Sequence, residues 1–105
     1  MFARHVSFRL KSTGMSSDFT YTFQTEVFPL LRQQKGFKDE IILYNPGSLE
    51  RITISLWESK ADADAYAATA YPQILKSIGR MIDGTPKVQT FDAATSTFHD
   101  ETAGK

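Results

Sequence analysis

The chain has no cysteine, one tryptophan, two histidines and four prolines in 105 residues. Without cysteine there is no disulfide framework, no thiolate nucleophile and no zinc site built on sulfur. Two histidines, at 5 and 99, fall in neither an H-x-H nor an H-E-x-x-H spacing, so no metal site is expected. Twelve basic residues balance twelve acidic ones and neither sign forms a run, which excludes the basic footprint of a nucleic-acid binder. No apolar stretch approaches the length of a membrane span. The start MFARHVSFRL alternates where a signal peptide would run continuously apolar, so the expected location is cytoplasmic. Glycine-rich phosphate loops, dinucleotide fingerprints and serine nucleophile elbows are also missing.

What is present is an ordinary globular composition, 41% hydrophobic and 23% charged, of a size suited to one domain. A core this small buries a modest share of the unfolded surface, so association is an expected source of stability.

From Phe2 to Leu10 the pattern alternates, with Phe2, Val6, Phe8 and Leu10 on one side and Ala3, His5, Ser7 and Arg9 on the other, the period of a strand. Ser16 or Ser17 offers an N-cap, and Phe19, Phe23, Val27, Leu30 and Leu31 recur at helical spacing until Gly36, suited to a left-handed C-terminal position. Pro29 lies inside this helix and leaves the carbonyl of Thr25 without its donor, so a kink is expected there. Residues 38 to 45 and 50 to 57 read as an antiparallel hairpin turned by Asn45-Pro46-Gly47-Ser48. In the second of these strands Ile52, Ile54 and Leu56 share one face and Thr53, Ser55 and Trp57 the other. Ser59 with Asp62 caps an Ala-rich helix that Pro72 interrupts. Tyr71 should end the first segment, and Tyr71, Leu75, Ile78 and Ile82 line the second up to Gly84. Residues 86 to 97 read as a final strand, and 99 to 105 as a polar, mobile tail beyond a single domain of residues 1 to 98. The order β-α-β-β-α-β predicts an α+β, ferredoxin-like fold with one antiparallel sheet and both helices on one face.

With FRLK ending the first strand, PLLRQQKGF closing the helix, ISLWES after the hairpin, then ADADAY and DGTPKV, the chain resembles antibiotic biosynthesis monooxygenase domains over nearly its whole length. HVSFRLK also resembles the start of stress-responsive α/β-barrel proteins, a neighbouring family with the same architecture. The resemblance implies a dimeric α/β barrel, a homodimer in which two sheets pack face to face. It implies a monooxygenase without metal or organic cofactor, acting on a small aromatic or polyketide-like compound. The alternative it carries is a non-catalytic, small-molecule-binding or stress-responsive barrel.

The resemblance also marks residues. Trp57 matches the tryptophan that closes the third strand and lines the cavity in quinone-forming members. Four residues earlier those members carry an asparagine; here the position is Thr53, a weaker donor to a phenolate oxygen. Haem-degrading relatives use an asparagine in the first strand, a tryptophan on the second helix and a histidine ligand. Ser7 or Val6, Tyr66 and Lys76 stand at the nearest positions, and a protonated lysine is a poor ligand for iron. The candidate pocket is therefore Trp57, Tyr66, Tyr71, Thr53, Ser55 and Ser7, with His5 as the candidate base near neutral pH.

Overall fold

The computed structural model describes residues 1 to 94. The final strand predicted to reach residue 97, the tail and His99 therefore lie partly or wholly outside the described residues.

Four strands form one antiparallel sheet: β1 (Phe2–Arg9), β2 (Phe37–Leu43), β3 (Glu50–Trp57) and β4 (Lys87–Asp92), in the order β2-β3-β1-β4. The helices cover one face. α1 (Ser16–Thr22) and α2 (Phe28–Arg32) lie between β1 and β2, and α3 (Lys60–Thr69) and α4 (Tyr71–Ile78) between β3 and β4. This is the predicted ferredoxin-like plan.

Several local features follow from single residues. Gly36 adopts φ +79 at the end of the first helical stretch, and a side chain there would also run into the carboxylate of Asp62. Gly47 adopts φ +81 in the hairpin turn, where the Ser48 N–H donates to the Asn45 carbonyl at 3.0 Å. The Ser59 hydroxyl accepts from the Asp62 N–H at 3.2 Å and caps α3.

Three expectations are corrected. The bend at Pro29 takes the form of a π-helical turn, Phe23–Val27, joining α1 to α2. Its wider ring lets the Phe28 N–H donate to the Phe23 carbonyl, absorbing the register change next to the proline without breaking the helix. The last helix stops at Ile78, and a short 3₁₀ turn, Gly79–Met81, follows it. Ile82 is already extended and bridges to Leu10, so Gly84, at φ +75, serves the loop into β4. Pro72 interrupts less than expected. Ala70 keeps helical angles between α3 and α4, and Tyr71 opens the second segment where it was expected to close the first.

The core lies between helices and sheet. Phe2, Val6 and Phe8 of β1 meet Phe19, Phe23, Val27 and Leu31 from the first helical stretch and Ala63, Tyr66, Ile74 and Ile78 from the second. Phe8, Phe19 and Phe23 pack as a triplet with ring centroids 4.7 to 6.3 Å apart.

Candidate functional site

Cross-strand partners share a face, so the pairing of the strands sorts the sheet into rows. On the helix-covered face one row reads Phe2, Trp57, Phe37 and a second Val6, Thr53, Ile42. Between them runs a polar row: Thr90 of β4, Arg4 of β1, Ser55 of β3 and Glu40 of β2. A cation and an acid are thus placed under the helices, in the layer that otherwise makes the core.

Arg4 is only 6% exposed, and its guanidinium lies 4.4 Å from the ring centre of Tyr71 and 5.4 Å from that of Tyr66. The two phenols come from α3 and α4, on either side of Ala70, and their rings are 6.0 Å apart. Arg4, Glu40, Thr53, Ser55, Tyr66 and Tyr71 line one small internal space of about 10 Å³, closed by Phe23, Val27 and Ile74. That is room for about one water molecule.

Burial sets the electrostatics. The Glu40 carboxyl is pushed up to about 8, chiefly by desolvation; Arg4 opposes the shift and Asp39 adds to it. Both phenols are raised above the ordinary tyrosine range, again mainly by desolvation, with Arg4 pulling the other way. One carboxylate oxygen of Glu40, Oε2, is buried and has no hydrogen-bond partner. At neutral pH the site is therefore a fixed positive charge among neutral hydroxyls and a mostly neutral carboxyl, an arrangement that favours an anion.

The structure brings Thr53, Ser55, Tyr66 and Tyr71 together around this space, keeps Trp57 in contact with two of them but off its lining, and puts His5 and Ser7 on the other face. Trp57 is fully buried, stacked on Tyr66 at 4.7 Å and set edge-on to Phe37, and its Nε1–H donates to the Ser55 hydroxyl at 2.9 Å. It stands behind Tyr66 as packed core and does not line the internal space, contrary to the expected cavity role. His5 and Ser7 occupy the opposite, open face of the sheet, because odd positions of β1 point away from the helices. His5 therefore cannot serve as base to this pocket. Lys76 of α4 is exposed.

Arg4 and Glu40 were not among the sequence candidates. The signal for Arg4 was in the alternation itself: the apolar series 2, 6, 8, 10 skips residue 4, which shares its face. Glu40 was hidden by a bulge between Phe37 and Asp39, which shifts the register and breaks the alternation along β2.

The sequence matches no protein-family model and no curated protein. Among solved structures it is similar to a monooxygenase of Streptomyces coelicolor, the product of ActVA-Orf6, in complex with nanaomycin D: TM-score 0.75, 14% identity, 90% of this chain and 88% of that one. It is similar to SnoaB, a cofactor-independent oxygenase of Streptomyces nogalater, through its N63A mutant: TM-score 0.74, 13% identity, 91% and 95% covered. A Nitrosomonas europaea protein provisionally assigned to the antibiotic biosynthesis monooxygenases superposes at TM-score 0.72 with 17% identity, 89% and 98% covered. At such identities the likeness establishes the fold, and that fold is the one shared with the antibiotic biosynthesis monooxygenases.

Proposed function

We propose that the protein is a monooxygenase-like enzyme of the cofactor-independent type, acting on a small aromatic or polyketide-like phenol in the space between sheet and helices. The observation that carries this reading is the polar row beneath the helices: Arg4, Ser55 and Glu40 side by side, roofed by Tyr66 and Tyr71. A buried cation on two phenol rings is costly to keep unless it meets an anion. A phenolate or enolate oxygen is such an anion.

The chemistry needs little else. The phenol gives up its proton, and its anion passes one electron to dioxygen. Recombination forms a C–O bond, and loss of water leaves a quinone. One oxygen atom ends in the product and the other in water, with two hydrogens lost from the substrate. Arg4 stabilises the anion that starts this sequence, with Thr53 and Ser55 as hydroxyl partners.

The homodimer belongs to the same reading. The open face carries Ile41, Ile52, Ile54, Leu43, Leu56 and Phe91, with Ile41 46% and Phe91 52% exposed. A second copy packed sheet to sheet would cover this apolar surface. His5 sits in its middle, between Gln89 and Ile54.

The alternative, a non-catalytic small-molecule-binding or stress-responsive barrel, is favoured by the internal space of only about 10 Å³. Oxygen uptake decides between them. With a panel of naphthols and anthrones in air, the enzyme should consume one dioxygen per quinone formed, and Arg4→Gln should lower the rate by about 10²-fold. Uptake no faster than without protein, across the whole panel, overturns the catalytic reading.

A further inference from the structure

Glu40 belongs to two spaces. It lines the internal cavity beside Arg4, and it is also one of the residues that line a cleft of about 370 Å³ between α2 and the edge strand β2. Phe28 and Arg32 come to this cleft from the helix, and Phe37, Lys38 and Asp39 from the strand. The internal cavity has room for a water; the cleft is of a size that takes a small ring compound. Two phenylalanines supply aromatic surface, and Arg32 and Lys38 stand at the rim with Asp39 and Glu40. Lys38 pairs with Glu58 at 2.9 Å, while Asp39 turns its carboxylate to the Glu40 N–H at 2.9 Å.

Arg4 and Glu40 stand two strands apart in one row, about 10 Å between backbones at the usual strand spacing. No ion pair joins them among the described residues. Ser55 lies between, its hydroxyl already accepting from Trp57. Among the described residues no ion pair closes the gap between the guanidinium and the carboxyl, whose Oε2 has no hydrogen-bond partner.

We infer that the cleft is a binding slot for a planar aromatic oxyanion, with the ring against Phe28 and Phe37 and the charged oxygen held between Arg4 and the carboxyl of Glu40, which binds in its protonated form as a hydrogen-bond donor. This rests on the phenol reading above and assigns the site a substrate class and a pH dependence. The protonated state follows from the surroundings. Burial and Asp39 raise Glu40 to about 8 against the pull of Arg4. Tyr66 and Tyr71, which share the internal space with it, are shifted up and stay neutral through that range, and Arg32 and Lys38 face it from the cleft side. Once ionised, Glu40 accepts where the ligand needs a donor, and repels it.

The test uses 2,4-dinitrophenolate, a planar oxyanion at every pH of interest, and its neutral isostere 1,3-dinitrobenzene. The chain has one tryptophan, and Trp57 packs edge-on to Phe37 of the cleft at 5.5 Å, so a nitroaromatic in the slot should quench it. In the unmodified protein, the Kd for dinitrophenolate should rise about tenfold from about pH 7 to about pH 9, as Glu40 ionises. Glu40→Gln keeps a donor that cannot ionise, so its Kd should stay flat over that range and within about threefold of the neutral-pH value. Dinitrobenzene should show no such limb. Should Glu40→Gln fail to fold, the two probes on the unmodified protein still decide. Flat binding of dinitrophenolate, an equal slope for dinitrobenzene, or no quenching up to millimolar probe overturns the inference. A rise in Kd without oxygen uptake from any phenol leaves the slot standing and removes the oxygenase; uptake with a flat Kd does the reverse.

Discussion

The two faces of the sheet invert the usual division of labour. The face sealed beneath the helices carries Arg4, Arg51, Glu40, Thr53 and Ser55, whereas the open face carries Ile41, Leu43, Ile52, Ile54, Leu56 and Phe91. A sheet that stood alone would be better served the other way round. The difference teaches that a polar row, Arg4, Ser55 and Glu40, is kept inside the otherwise apolar covered face, between Phe2, Trp57 and Phe37 on one side and Val6 and Ile42 on the other, as a site would be. The open face keeps an apolar patch, Ile41, Ile54, Ile52 and Leu43, among polar neighbours such as His5 and Ser7, as an interface would.

The largest effect is expected where a charge enters the apolar face. Ile54→Lys places one at the centre of the open sheet, beside His5 and Ile41, and twofold symmetry doubles it. In a face-to-face dimer this should cost about 5 kcal/mol or more and give monomers at micromolar concentration, measured by light scattering. A dimer that survives it would show that the open face is not the interface.

The next concerns the aromatic row bordering the polar one. Trp57→Ala removes a fully buried side chain, its stacking on Tyr66 and the hydrogen bond to Ser55, and should cost about 3–5 kcal/mol in urea denaturation. A loss below about 1 kcal/mol would mean that this end of the covered face is looser than its geometry indicates.

Glu40→Gln should then act in the opposite sense. A carboxyl with an ordinary value of 4.5 that is raised to about 8 by folding binds its proton more tightly when folded. Its contribution is fully present below the unfolded value and is lost as pH rises to the folded one. Glu40→Gln should therefore stabilise the protein relative to the parent by an amount that grows across that interval, to about 5 kcal/mol at most, and change little at acid pH. A stability difference that does not vary with pH would place Glu40 in a solvated position.

Much of the fold was legible because its determinants are local. Gly36 and Gly47 need left-handed angles, Ser59 needs only the N–H three residues on, and the strand alternation survives in β1 and β3. The π-helical turn was not, since Pro29 announces a disturbance without saying how the helix absorbs it. Nor was the end of α4, since Gly79 at φ −54 takes part in the helical geometry as any residue would. For the site, alternation sorts residues into two sets but is silent on which set the helices cover. Thr53, Ser55 and Trp57 were rightly grouped, while His5 was joined to them as a polar residue able to act as a base, and Ser7 through its place in the first strand. The strand pairing decides it: His5 lies opposite Ile54, and Arg4 opposite Ser55.

The smallest expected effect gives the sharpest test of what the polar face is for, because the face holds two buried arginines in different surroundings. Arg51 is 2% exposed and donates to the carbonyls of Ser48 and Glu50 and to the Ser16 hydroxyl, with Tyr44 under its guanidinium. Those bonds tie the hairpin turn to the start of α1, so Arg51→Met should cost about 2–3 kcal/mol. Arg4 has the rings of Tyr66 and Tyr71, a hydrogen bond with the Tyr71 hydroxyl and, among the described residues, no ion pair, and its neighbour Glu40 is mostly neutral at pH 7. Replacing such a charge with an apolar side chain of similar length leaves no acid stranded and keeps the packing. Arg4→Met should therefore change stability by no more than about 1 kcal/mol, in either direction, while abolishing dinitrophenolate binding. Urea denaturation of both variants at neutral pH, with Trp57 quenching alongside, makes the comparison. If Arg4→Met costs as much as Arg51→Met, Arg4 is a staple of the fold like its counterpart, and the polar row loses its claim to be a site.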